Sequence, residues 1–211
     1  MKKLFVLMAA AFAMVACQTD INEVGVAGGE VDVTFEVGTP TRAYSDGKTA
    51  TRLQYAIYDE TGAELTALTK TDATIDITAT VELKLVTGNS YTAIFWASEE
   101  NAPYTVDFDA KTMTVNYNGV TCNDENLDAF FKCHEIIVNQ SGQTEQIELK
   151  RPFAQLNIGT SDTADAERAG LVVDDTEVSV RAYTTLNLLN GEVANAMQLT
   201  YAANAVPTGE N

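Results

Sequence analysis

The sequence predicts an all-β protein. Three observations carry that expectation. Val31–Val37 alternates without a break: Val31, Val33, Phe35 and Val37 fall on one side, and Asp32, Thr34 and Glu36 on the other. That is the period of a half-buried strand rather than of a helix. Thr74–Val86 alternates almost throughout, and short apolar runs recur between turn signals such as Thr87-Gly88-Asn89-Ser90. A hydrophobic share of 45% over 211 residues is enough for a core and suggests one or two domains.

The chain opens Met1-Lys2-Lys3, runs apolar from Leu4 to Ala16 and reaches Cys17. Two lysines, a short apolar core and small residues before a cysteine read as a secretory signal peptide over residues 1–17. The run is too short to span a bilayer as a mature helix. Met14-Val15-Ala16-Cys17 resembles a bacterial lipoprotein signal, in which the cysteine thiol is lipidated and becomes the new N-terminus. The alternative is an ordinary secreted protein cut nearby. Residues 18–29 read as a flexible tether.

The formal charge is −17. Removal of Lys2 and Lys3 with the signal leaves 11 basic against 30 acidic residues, a net −19. Nucleic acid is therefore not an expected partner, because phosphate binding needs clustered Lys and Arg. With Cys17 assigned to the signal, Cys122 and Cys133 remain as a candidate disulfide of an oxidising compartment. Closing so short a loop would contribute about 2–3 kcal/mol if unstrained. Two separate buried thiols are the alternative.

Residues 30–150 read as an N-terminal β-sandwich. Val31–Val37 is its first strand, and it leads into a polar loop that contains Arg42 and Ala43 and closes on Asp46-Gly47. Thr51–Asp59 is a strand with little exposed polarity and is expected to be central. Thr74–Val86 is one long strand or two short ones. Tyr91–Ala97 is the most apolar strand and carries Trp96, expected in the sandwich core because aromatic residues on strands usually pack. Tyr104–Phe108 and Thr112–Tyr117 are two further strands split by Asp109-Ala-Lys, and Asp107 and Asp109, which alternate with apolar residues, read as a solvated face. Asp124–Lys132 is expected to form a short helix or turn, and its acids lack the glycine that a calcium loop needs. Ile136–Val138 and Thr144–Leu149 complete the unit. Pro152 breaks the ladder, so a boundary is placed at Lys150–Arg151. Residues 151–211 read as a partial second β domain: an acidic loop over Thr160–Arg168, a strand near Glu177–Tyr183, and a polar Asn- and Ala-rich tail.

Catalysis has little to stand on. His134 is the only histidine, and no zinc constellation, nucleophile–histidine pair or glycine-rich phosphate loop is present. No catalytic residue, metal or cofactor is expected.

In this order and spacing, four features resemble the fimbrillin family of Bacteroidota, the type V fimbrial subunits. They are the signal ending in Cys17; Val31–Val37 followed by Thr41-Arg42-Ala43; the strand Leu53-Gln-Tyr-Ala-Ile-Tyr-Asp-Glu-Thr-Gly62; and Leu149-Lys-Arg-Pro-Phe-Ala-Gln-Leu-Asn-Ile158. The resemblance covers about residues 1–160. It implies transthyretin-like Greek-key β-sandwiches and export as a lipoprotein to the outer membrane and cell surface. It also implies cleavage after Arg42 by a trypsin-like maturation protease. Val31, Val33, Phe35 and Val37 would then be a removable strand. Its loss would open a groove that a strand from another fimbrial subunit fills, by strand addition to an unpaired edge. The sequence departs from the family near its end, where no long alternating strand is read before Asn204–Asn211. The expected function is a fimbrial structural subunit assembled by strand exchange for adhesion. The alternative is a non-polymerising surface lipoprotein, acting as an anchor or as a module that binds glycan or host protein.

Overall fold

The structure, a computed structural model, describes residues 28–40, 48–122, 124–156, 161–172 and 175–205. It is an all-β sandwich in three layers. Among the described residues eleven strands follow in order: β1 (Glu30–Gly38), β2 (Arg52–Tyr58), β3 (Lys70–Thr74), β4 (Thr78–Val86), β5 (Ser90–Ser98), β6 (Tyr104–Asp107), β7 (Thr112–Val115), β8 (Ala129–Ile137), β9 (Gln143–Glu148), β10 (Asp175–Asn187) and β11 (Val193–Ala205). One short helix, α1 (Thr163–Arg168), lies where the sequence suggested a loop.

The first layer has strand order β4-β1-β9, the middle layer β3-β2-β5-β8 and the third β11-β10-β7-β6. The middle sheet explains the arrangement. Its two central strands are apolar in both phases, so each must be covered on both faces. Leu53, Tyr55 and Ile57 of β2, with Tyr91, Phe95 and Ala97 of β5, pack against the first sheet. Ala56, Tyr58, Ile94 and Trp96 pack the other way, against Phe108, Met113, Val115, Leu186 and Leu188 of the third sheet and its flanks.

Trp96 is fully buried, but in this second core and not in the first. Its ring meets Tyr104 edge-on at 5.5 Å, and Tyr104 stacks on Phe153 at 5.4 Å. A strand that is apolar on both sides gives no sign of which face a given residue takes.

Of the alternating run Thr74–Val86, Thr74 ends β3 and Thr78–Val86 forms β4. Ile77, at φ 62°, turns the chain between β3 and β4, and Ile75 is buried in the first core. β3 pairs with β2, whereas β4 crosses to the first sheet and pairs with β1. Between β4 and β5 the turn at Gly88 takes φ 89°, open to glycine without strain. The acidic stretch after Cys122 becomes a single 3-10 turn over Glu125–Leu127, capped by the Asp124 carboxylate on the Asn126 amide at 3.0 Å. β8 begins directly after it.

The candidate disulfide is not formed. Cys133 is a free, half-buried thiol on β8, while Cys122 is exposed in the preceding loop. Strand β8 carries Cys133 inward, where it packs against the second core. Burial pushes the Cys133 thiol up, with a further push from Glu135.

The segment after Lys150 differs most from expectation. β10 is 13 residues long, and the tail read as polar is a second 13-residue strand, β11, paired antiparallel with it. At its base β10 pairs with β7 through Thr185–Asn187, so sheet hydrogen bonding crosses the boundary drawn at Lys150–Arg151.

Candidate functional site

The candidate site is the slot in the first sheet occupied by β1. Alternation dictates how β1 lies there. Val33 and Phe35 are fully buried, Val37 is 1% exposed and Val31 is half-buried. Asp32 and Glu36 face water. The strand is bonded on both sides: antiparallel to β4 from Glu30↔Val86 to Gly38↔Thr78, and parallel to β9 from Val33↔Gln143 to Gly38↔Glu148.

Val81, Leu83 and Leu85 of β4 and Ile147 of β9, with Leu149 just beyond it, flank the inward side chains of β1 within the same core. Phe95 of the middle sheet forms the floor, its ring 5.5 Å from that of Phe35. At about 25 cal/mol per Å² of apolar area, each buried Val or Phe side chain of β1 stabilises by about 1.5–3 kcal/mol. The outer face contributes little. Lys84 reaches Asp32 at 2.8 Å, but both are exposed, and such pairs are weak. Gln146 donates to the Glu36 carboxylate.

Two clasps close the ends of the slot. At one, Thr87 and the Gly28–Gly29 backbone exchange bonds of 2.9 and 3.1 Å. At the other, the Thr39 amide donates to the Ile77 carbonyl at 2.8 Å and the Leu149 amide to the Gly38 carbonyl at 2.9 Å. Beyond Thr39 the surface opens into a depression of about 730 Å³, lined by Glu36, Gly38, Thr78, Thr80, Gln146 and Glu148 among others. The chain leaves the slot here at Pro40 and rejoins the described fold at Lys48. Arg42 and Ala43 lie between these points, outside the described residues, as does Cys17.

A polar seam borders the slot. His134 Nε2 on β8 lies 3.0 Å from Glu145 Oε2 on β9, and Gln143 donates to the other oxygen of Glu145 at 2.8 Å. The sequence offered no partner for His134, because the pair depends on β9 lying beside β1. Just beyond β9, Arg151 pairs with Asp128 at 2.9 Å and covers the ring of Phe130 on β8 at 5.3 Å. Asp107 and Asp109 are exposed, as expected. Among the described residues no cluster of three or more His, Cys, Asp or Glu could hold a metal ion.

The arrangement can hold an extended, alternating strand and shield its apolar side chains. Over residues 23–210 the sequence matches a family model described as a family of unknown function, DUF6562. The chain belongs to this family. No curated protein matches it.

Three solved structures align with this chain. A DUF1812 protein of Bacteroides thetaiotaomicron VPI-5482, proposed to bind polysaccharide, aligns with TM-score 0.54 and 13% identity over 81% of this chain and 64% of its own. A fimbrial assembly protein of Parabacteroides distasonis ATCC 8503 aligns with TM-score 0.46 and 14% identity, over 82% of this chain and 73% of its own. The fimbrial anchor protein Mfa2 of Porphyromonas gingivalis aligns with TM-score 0.44 and 12% identity, over 81% and 66%. This chain thus spans under two thirds of the length of the Bacteroides structure.

Proposed function

We propose that the protein is a fimbrillin-like surface subunit, exported as a lipoprotein through Cys17 and matured by cleavage after Arg42. The observation that carries the reading is the place of β1. It is a middle strand, bonded to β4 and β9, and its apolar side chains complete a core made by residues that all follow Arg42 in the chain.

Cleavage after Arg42 leaves no covalent link between β1 and the rest of the fold. What then holds β1 is backbone pairing and the insertion of Val33, Phe35 and Val37, and both can be supplied by another strand of the same pattern. An empty slot exposes two strand edges and an apolar floor, which favours refilling. Assembly by strand exchange, with other fimbrial subunits as partners and adhesion as the outcome, follows from that physics. Catalysis plays no part in this reading.

A second reading keeps β1 in place and makes the protein a lipid-held anchor or a module that binds glycan or host protein. The likeness to the DUF1812 structure favours keeping it in view.

Intact mass of the surface-extracted protein separates the two readings. A mature N-terminus at Ala43 is the expected result. A lipidated Cys17 that persists, with the bond after Arg42 resistant to trypsin-like protease, would overturn processing and leave the anchor or binding reading.

A further inference from the structure

We propose that the outer edge of β11 is a self-association surface, where a second copy of this chain pairs antiparallel across a two-fold axis at Leu199. The proposal stands apart from the fate of β1.

The described sheets have six terminal strands: β4, β9, β3, β8, β6 and β11. Edge strands are usually protected from pairing with other chains by charged side chains, proline or brevity. Five of the six follow that rule. β4 carries Glu82 and Lys84, β9 Glu145 and Glu148, β3 Lys70 and Asp72, β8 Lys132 and Glu135, and β6, only four residues long, Asp107. β11 carries no charged residue, no proline and no glycine over its 13 residues. Among the described residues its backbone pairs only with β10, whose ladder with β7 is confined to Thr185–Asn187. The rest of the ribbon extends past its sheet.

The occupant follows from symmetry and charge. A two-fold interface must be self-complementary. Most other edges would bring ionised side chains close to one another in a molecule of net charge −17. Along β11 none meet. Val193–Ala205 is symmetric about Leu199, so the whole strand overlaps its copy. On one face Leu199 then meets Leu199, and Met197 meets Tyr201 of the second copy, a sulfur–aromatic pair. On the other face Gln198 meets Thr200. Met197 is 39% exposed, and Gln198 and Thr200 are exposed, so these side chains are available. The irregularities of the hairpin, Asn195 at φ 58° and the register step between Thr176 and Val178, lie outside Met197–Tyr201.

Sedimentation velocity on the full chain at physiological salt tests this. The expected result is a reversible monomer–dimer equilibrium. The double variant Gln198→Lys, Thr200→Lys sets lysines opposite one another twice and should weaken the dimer roughly ten-fold. Circular dichroism reports whether that variant is folded. If it is not, Leu199→Cys decides, with the native cysteines replaced by serine. Cysteines at the axis lie within disulfide reach of each other and cross-link under mild oxidation. A wild-type chain that stays monomeric at millimolar concentration would overturn the proposal. So would a dimer that a folded double-lysine variant leaves intact, or, where that variant is unfolded, residue-199 cysteines that fail to cross-link.

Discussion

Phe35 of β1 packs its ring 5.5 Å from that of Phe95, tilted by 54°, and so joins β1 to the middle sheet. Tyr55 lies against the same Phe95 ring at 6.0 Å. Phe35 is fully buried, so truncation leaves a cavity that fixed strands on both sides cannot close. Phe35→Ala should cost about 3–5 kcal/mol. Val31→Ala, at the half-buried end of the same strand, should cost under about 1.5 kcal/mol. Urea denaturation of both variants checks the contrast, and equal losses would mean that β1 is not seated as described.

If the slot accepts strands in trans, cleavage in the loop after β1 makes β1 replaceable. After trypsin-like treatment, a labelled peptide of residues 28–42 should exchange into the protein. The same peptide with Phe35→Asp should not, because burying an unpaired carboxylate costs several kcal/mol. Fluorescence anisotropy with labelled peptide reads this out. Equal uptake of the two peptides would show surface adhesion and not insertion.

The first strand was legible because alternation is a local property and Val31–Val37 displays it fully. Its neighbours were not, since the parallel partner β9 lies more than a hundred residues away and only the fold brings it there. β2 was legible as central because a strand without a polar phase must be covered on both faces. β11 was hidden for the opposite reason. Ala and Asn have low strand propensity, most of its side chains remain in water, and its state is set by pairing with β10. His134 looked like a lone strand residue, and its partner Glu145 became visible only when β8 and β9 met.

The two described cysteines should differ in reactivity. Cys122 is exposed, whereas Cys133 is half-buried and its thiol is pushed up by burial and by Glu135, which keeps it protonated at neutral pH. Iodoacetamide at pH 8 should label Cys122 well before Cys133, with peptide mass mapping as the readout. Reducing agent should leave the melting temperature unchanged. A drop on reduction would mean that a bridge forms in solution.

The second core sets an upper limit on pH. Tyr58 donates to the Phe108 carbonyl at 2.7 Å, and Tyr104 donates to the Leu127 carbonyl. Burial, more than any neighbouring charge, pushes both phenols above their ordinary value near 10; Glu64 adds to the effect at Tyr58 and Tyr117 to that at Tyr104. A phenol raised in the folded state holds its proton where the unfolded chain has lost its own. Stability linked to these groups is therefore fully present below about pH 10 and falls as pH rises from there towards the folded values. Urea midpoints should be level from pH 7 to about pH 9 and then decline steeply. Tyr58→Phe should cost about 1 kcal/mol at neutral pH, because the Phe108 carbonyl loses its donor. The same variant should also flatten the alkaline decline, since one group that resists ionisation is gone. A variant as alkali-sensitive as the parent would place the titrating groups elsewhere in the fold.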